Sequence, residues 1–234
     1  PDDDGGVTVN LSDDTANDTF GDEDELSGIE KVIGTAKADK ITGDSDDNVI
    51  AGGTGADTIT GGAGADSLTG GTGADVFRFA AGEFGEDEAV DAGGGMDSIT
   101  INAADTLDDS DFANVTNAET LDLTGDSDTY EVTLGGNADN AFGNSIGIEA
   151  TEGASLNLDG AAVSTTLSAT AGDGDDTLIG GSNSDSLVGG AGADTITGGS
   201  GSDDLTGGAG NDVFKFAVDD FGDDSVAGGA GTDT

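Results

Sequence analysis

Two stretches of this chain repeat every nine residues, and that period limits what the backbone can build. Residues 52–60 read GGTGADTIT, 61–69 GGAGADSLT and 70–79 GGTGADVFRF. Far downstream, 189–197 read GGAGADTIT, 198–206 GGSGSDDLT and 207–216 GGAGNDVFKF. Weaker copies precede each run: GTAKADKIT (34–42) and GDSDDNVIA (43–51), then AGDGDDTLI (171–179) and GGSNSDSLV (180–188). The second run nearly copies the first, since 189–217 aligns with 52–80 without a gap. Each continues through an acidic stretch, GEFGEDEAV (82–90) or DDFGDDSV (219–226), to one more glycine cluster ending in Asp at 97 or 233. A longer array of such blocks is expected beyond this sequence.

The sixth position of the period is Asp39, Asn48, Asp57, Asp66, Asp75 and Asp97, then Asp176, Asp185, Asp194, Asp203, Asp212 and Asp233. The eighth is always large and apolar: Ile41, Ile50, Ile59, Leu68, Phe77 and Ile99, then Leu178, Leu187, Ile196, Leu205 and Phe214. Composition alone, with 44 glycines in 234 residues and a formal charge of −45, would suit a disordered polyanion. Low-complexity disorder does not hold a carboxylate and a bulky hydrophobe in fixed phase.

Gly-Gly-x-Gly-x-Asp suits a turn, because glycine reaches positive φ without a Cβ clash. The next three residues, such as Thr58-Ile59-Thr60, alternate polar and apolar as a short half-buried strand does. Two turn-strand units, one after the other, make one flattened coil of two periods. Stacked coils lie about 4.8 Å apart, pair as parallel strands and point the eighth-position side chains into a narrow core. The fold expected is all-β: a parallel β-roll or β-solenoid in two blocks joined by a β-rich spacer.

In such a stack, sixth-position carboxylates two periods apart share an edge, giving the pairs Asp39/Asp57, Asn48/Asp66, Asp57/Asp75, Asp176/Asp194, Asp185/Asp203 and Asp194/Asp212. Carboxylates at strand spacing repel unless a cation sits between them. Carboxylates plus inward carbonyls of glycine turns form a flexible all-oxygen cage, which suits calcium better than magnesium.

The nonapeptide resembles that of the repeats-in-toxin (RTX) family, a known calcium-binding β-helix repeat. The resemblance implies a calcium-stabilised parallel β-roll holding several ions between adjacent turns. It implies the sixth-position residues above as side-chain ligands, with backbone carbonyls from Gly53, Gly55, Gly62, Gly64, Gly71, Gly73, Gly190, Gly192, Gly199, Gly201, Gly208 and Gly210. GGVTVNL (5–11) and DELSGIEKVIGTA (24–36) are similar to segments that introduce such rolls. Lys37 and Asn183 replace the fourth-position glycine, and Asn48 replaces the Asp. The loops 34–39, 43–48 and 180–185 are therefore expected to be closing turns without full occupancy.

Other chemistry fits poorly. With no Cys or His there is no ordinary zinc or haem site, catalytic thiol or Ser–His–Asp triad. Asp44-Ser-Asp46-Asp-Asn48 has EF-hand spacing, but Val49 stands where the turn glycine belongs. No phosphate-cradling motif follows the glycine loops. No apolar run approaches membrane-spanning length, and the charge disfavours nucleic acid and anionic lipid. The acidic group Glu83, Glu86, Asp87 and Glu88 reads as a solvated loop, with an extra calcium contact as the alternative.

Between the blocks, TLDLT (120–124), YEVTL (130–134), IGIEA (146–150), SLNLD (155–159) and TTLSA (165–169) read as strands. Turns are expected at Gly125-Asp126, Gly135-Gly136-Asn137, Glu152-Gly153 and Asp159-Gly160, and only weak helical patterning appears, near 108–119. VTNAETLDLTG (115–125) resembles spacers of bacterial surface-layer and giant adhesin proteins. The organisation expected is a lead-in or cap over 1–33, a first roll block over 34–101, a spacer over 102–170 and a second block over 171–234. The function expected is a non-catalytic, calcium-dependent structural segment of a large secreted bacterial surface protein. Its partners would be calcium and copies of itself or other surface components, with no nucleic acid and no membrane insertion. Export by the type I route to the cell surface is implied by the family. The alternative is a C-terminal secretion and folding module of an exoenzyme or toxin.

Overall fold

The computed structural model describes residues 5–18, 20, 23–103, 105–125, 129–151, 153–216 and 223–234. The chain divides into two compact units, one of residues 1–100 with 114–118, the other of 101–113 with 119–234. Each winds as a parallel β-solenoid, nearly all-β.

In the first unit, one face carries Thr8–Asn10, Lys40–Thr42, Thr58–Thr60 and Val76–Phe79 side by side. An antiparallel ribbon, Thr15–Asn17 with Glu23–Glu25, extends it beyond Thr8–Asn10. The other face stacks Lys31–Ile33, Val49–Thr54, Ser67–Thr72, Ala89–Gly94 and Val115–Thr116. Ile41 pairs with Ile59 and Ile59 with Phe77, the two-period register that the repeat predicts. Those three, together with Ile50 and Leu68 from the opposite face, are buried. These side chains alternate with polar neighbours, so Lys40–Thr42 and Thr58–Thr60 bury one large residue each, while Val76–Phe79 buries both Phe77 and Phe79. Phe79 packs against Phe84 with ring centroids 5.0 Å apart.

One feature of the strands differs from the expected turn. On the second face the strands run six residues and continue into the glycines, with Gly53 opposite Gly71 and Thr54 opposite Thr72. Gly53 and Gly71 have φ near +117° and +119°. A Cβ on Gly71 would strike the Gly53 carbonyl, so glycine is needed both for φ and for the close approach of one coil to the next.

In the second unit the strands Thr120–Leu123, Ser145–Ala150, Thr166–Thr170, Ser186–Ala191, Asp204–Ala209 and Ser225–Ala230 form one face. Thr106–Leu107, Thr129–Thr133, Ser155–Asp159, Thr177–Ile179, Thr195–Thr197 and Val213–Lys215 form the other. The five strands expected between 120 and 169 are all present, and they pair in parallel with the repeat strands: Leu158 with Leu178, Ala169 with Leu187. Tyr130, Leu121, Leu156, Leu167, Leu178 and Ile196 are buried in this core. Of the second phenylalanine pair, Phe214 is half-buried and Phe216 is exposed.

The turn expected at Gly135-Gly136-Asn137 is instead the start of a helix, Gly136–Phe142. So short a helix shows no helical period in sequence. What stabilises it is tertiary: the Asp109 carboxylate accepts hydrogen bonds from the N–H groups of Asn137 and Ala138. Ala138, Ala141 and Phe142 turn inward, and the Phe142 ring lies 5.7 Å from that of Phe112. Phe112 belongs to a short 3-10 turn, Asp109–Phe112, within the stretch of weak helical patterning. Asp139, on the solvent side of the helix, accepts hydrogen bonds from Ser164 and Thr165 and thereby fastens the 161–165 loop. Asp126 and Glu152, expected in turns, lie outside the described residues, as do 219–222 of the second acidic stretch.

Candidate metal centre

The sixth-position side chains form two columns in each unit, built by one repeated hydrogen bond. The Asp39 N–H donates to Asp57 Oδ1 at 2.8 Å, Asp57 N–H to Asp75 Oδ1 at 2.8 Å, and Asp75 N–H to Asp97 Oδ1 at 2.7 Å. The second column links Asn48 to Asp66 at 2.8 Å. In the other unit Asp176 donates to Asp194 and Asp194 to Asp212, both at 3.0 Å, then Asp212 to Asp233 at 3.1 Å. Asp185 donates to Asp203 at 2.9 Å. All six pairs expected from the two-period coil are thus brought together. Every one of these side chains is buried except Asp233, which is half-buried.

This hydrogen bond satisfies one carboxylate oxygen. The other, Oδ2 of Asp57, Asp66, Asp75, Asp176, Asp194 and Asp212, is buried with no hydrogen-bond partner. An anionic oxygen so placed is costly, and a buried charge requires a counter-charge or a proton. Its surroundings supply further oxygen. A Cβ on Gly52 would meet Asp57 Oδ2 and, at 2.8 Å, the Gly70 carbonyl; a Cβ on Gly189 would meet Asp194 Oδ2 and, at 2.7 Å, the Gly207 carbonyl. The first-position glycine therefore leaves open a cradle that a side chain would fill. The carbonyls beside these two oxygens belong to the first-position glycines Gly70 and Gly207 of the following coil, outside the candidates named from sequence, and beside Asp75 Oδ2 stands the Ala92 carbonyl. The second- and fourth-position glycines 53, 55, 62, 64, 71, 73, 190, 192, 199, 201, 208 and 210 all adopt positive φ in the same loops.

The three loops that depart from the repeat are closed differently. In 34–39 the Thr35 N–H donates to Asp39 Oδ2, at 2.5 Å. In 43–48 the Asp44 N–H donates to Asn48 Oδ1, and in 180–185 the Gly181 N–H donates to Asp185 Oδ2, at 2.8 and 2.7 Å. There the backbone takes the place that stays open in the regular loops.

Two column members fall outside the repeat. Asp66 N–H lies 3.5 Å from Glu88 Oε1, and Asp203 N–H donates to Asp224 Oδ1 at 2.9 Å. Glu88 is buried, so it is not the solvated loop residue expected; Glu86 and Asp87 are exposed. Insertions before Glu88 and Asp224 break the nine-residue count. The signal lay downstream: each is followed at the second position by an apolar side chain, Val90 or Val226, and then by paired glycines.

Chemically, the columns offer anionic and carbonyl oxygens only, in loops of variable width, a donor set that fits a hard divalent cation of calcium's flexibility. Among the described residues no three His, Cys, Asp or Glu side chains gather as a metal cluster. The carboxylates stand instead in stacked pairs, with backbone carbonyls close to several of them.

Protons compete for the same oxygens. Burial pushes the carboxyls of Asp57, Asp66, Asp75, Asp185 and Asp194 above their ordinary value, against the opposing backbone N–H bonds. Asp176 is pushed up to about 7 by burial, with Asp194, Asp175 and Asp173 adding to the rise. Glu88 is also pushed up to about 7, by burial and then by Asp66, Asp87 and Glu83. A carboxyl raised in the folded chain favours folding when protonated. Without a cation, stability is therefore gained as pH falls through about 7 and lost as pH rises through it. Circular dichroism of calcium-stripped chain should show more β structure at about pH 5 than at about pH 8. Less β structure at the lower pH would refute the assignment of these groups.

The RTX calcium-binding nonapeptide repeat family (4 copies) matches residues 26–59, 52–83, 168–187 and 179–214. Among curated proteins, none matches the chain. No helix among the described residues is long and apolar enough to cross a membrane. The chain carries RTX calcium-binding nonapeptide repeats, in two blocks that hold most members of its carboxylate columns.

Proposed function

We propose that this chain is a non-catalytic structural segment of a large secreted bacterial surface protein, of surface-layer or adhesin type, which folds on binding calcium outside the cell. The observation that carries the reading is the carboxylate columns, in which Oδ2 of Asp57, Asp66, Asp75, Asp176, Asp194 and Asp212 is buried and left open by hydrogen bonding. In this reading the ligands are Asp57, Asp66, Asp75, Asp97, Asp176, Asp194, Asp203, Asp212 and Asp233, with glycine carbonyls of the same turns. Bound calcium supplies positive charge between carboxylates that otherwise repel. The chain's own part is to hold those oxygens in register: the Asp N–H to Asp Oδ1 bond sets the spacing, and the glycine turns bring carbonyls to the edge. Asp39, Asn48 and Asp185, closed by backbone N–H groups, serve as end turns. Two near-identical blocks, 52–80 and 189–217, suit a repetitive extracellular stalk or lattice, with copies of the same chain as natural neighbours.

An extracellular role sets the affinity. Extracellular calcium modules bind at about 10⁻⁴–10⁻³ M, far more weakly than cytosolic buffers. Each regular loop contributes one carboxylate and otherwise neutral carbonyls, which favours the weak end, and the general field of the −45 charge is screened at physiological salt. Because each central Asp is shared by two coils, folding should be steep in calcium. A calcium titration of the whole chain should give a cooperative transition in the upper micromolar to millimolar range. A midpoint below about 10⁻⁷ M would contradict folding after export.

A further inference from the structure

One coil in the first unit is wider than its neighbours. The column step from Asn48 to Asp66 spans 18 residues, whereas the next, from Asp66 to Glu88, spans 22. The ladder follows the same register, with Leu68 opposite Val90 and Gly71 opposite Gly93. The added residues lie between 80 and 88, outside the nonapeptide pattern.

The widening changes what stands beside Asp66. At Gly52 a Cβ would meet both the Asp57 oxygen and the Gly70 carbonyl. At Gly61 the three nearest atoms all belong to Asp66, so no carbonyl stands as close. The next member of this column is a glutamate, one methylene longer than the aspartates of the regular coils. Glu88 and Asp66 are each 2% exposed. Asp66 Oδ2 and Glu88 Oε2 are both buried without a hydrogen-bond partner. The contact from Asp66 N–H to Glu88 Oε1, at 3.5 Å, is too long to offset burying a carboxylate.

We propose that Asp66 and Glu88 form a calcium site of a second kind, in which a second free carboxylate takes the role that a first-position carbonyl has in the regular coils. The inference rests on the calcium reading above and extends it past the matched repeats, which stop at residue 83 in this block. The second unit carries a carboxylate at the same register. Its widened coil spans 21 residues, from Asp203 to Asp224, and Gly198 likewise has only Asp203 atoms nearest. A carboxylate thus recurs at this register in both blocks although the insertions preceding it differ in length. A purely structural Glu88 would need only its neutral acceptor oxygen for the Asp66 N–H, which a glutamine supplies equally well.

The test counts calcium ions on the whole chain by native mass spectrometry in calcium chloride, with circular dichroism to follow folding. Glu88→Gln should fold and lose one bound calcium, while Glu88→Asp and the exposed control Glu86→Gln keep the full number. Glu88→Gln retaining every ion would overturn the proposal. If Glu88→Gln does not fold in calcium, Glu88→Asp decides: folding with the full count supports a needed carboxylate, and failure overturns it. A wild-type chain that binds no calcium would instead overturn the function proposed above, so the two failures are distinct.

Discussion

Stripped of calcium at neutral pH, the whole chain is expected to lose most of its β structure and to recover it when calcium is returned. The magnitudes favour this outcome. Each uncompensated carboxylate held away from water costs several kcal/mol even after relaxation, and the structure buries six aspartate Oδ2 oxygens of the repeats described above without a partner. Domains of this size have a total stability of about 5–15 kcal/mol, so two or three such groups are enough to abolish it. The core of the regular repeats offers little to offset this cost, because their three-residue strands bury a single large side chain each, as Ile41 and Ile59 show. Chain self-repulsion at −45 acts in the same direction. Far-UV circular dichroism in chelator, then in millimolar calcium, checks it. Indistinguishable β spectra in the two conditions would sink the idea, as would full recovery with magnesium alone, whose rigid octahedron these mixed loops do not match.

Asp57→Ala should be among the most damaging single substitutions in the first unit, and Asp194→Ala its counterpart in the second. Asp57 Oδ1 accepts from the Asp39 N–H and its Oδ2 is buried and open; alanine keeps the backbone N–H that donates to Asp75 but removes both oxygens at once. It leaves the Asp39 N–H buried without its acceptor, a cost of about 1–3 kcal/mol before any lost ion is considered. That corresponds to roughly five- to 150-fold in an equilibrium constant. Calorimetric titration should show fewer calcium ions bound by the first block and the second block nearly unchanged. Glu86→Ala, at an exposed position, should leave both blocks as they were. If the two variants titrate alike, the pairing of residues two periods apart does not hold the sites.

Much of the roll was legible because its determinants are local and periodic. A turn that needs glycine, a short strand and a count of two periods place Ile41 beside Ile59 and Asp39 beside Asp57 with no knowledge of the rest of the chain. The middle strands were readable for the same reason: Thr120–Leu123 and Ser155–Asp159 alternate apolar and polar residues. The places of Glu88 and Asp224 in the columns were not, although Glu88 belonged to the acidic group for which a calcium contact was the alternative reading; a period counts residues, and an insertion shifts the count while the ladder absorbs it in a wider loop. The helix Gly136–Phe142 and the glycine before it open on Gly-Gly-Asn, which locally favours a turn. Asp109, far earlier in the chain, reverses that preference by capping its first N–H groups.

By itself, then, the sequence determined the coil length, the inward hydrophobic row, the stacked Asp pairs and the oxygen chemistry that points to calcium, because each follows from residue type at fixed spacing. Tertiary structure decided which oxygen of each carboxylate is consumed by the neighbouring coil and which stays open. It also decided that Asp39, Asn48 and Asp185 close on their own backbone while Asp57 and Asp194 do not. Those outcomes depend on how one coil settles on the next, where a shift of about an ångström makes or breaks a hydrogen bond, and no period along the chain encodes that distance.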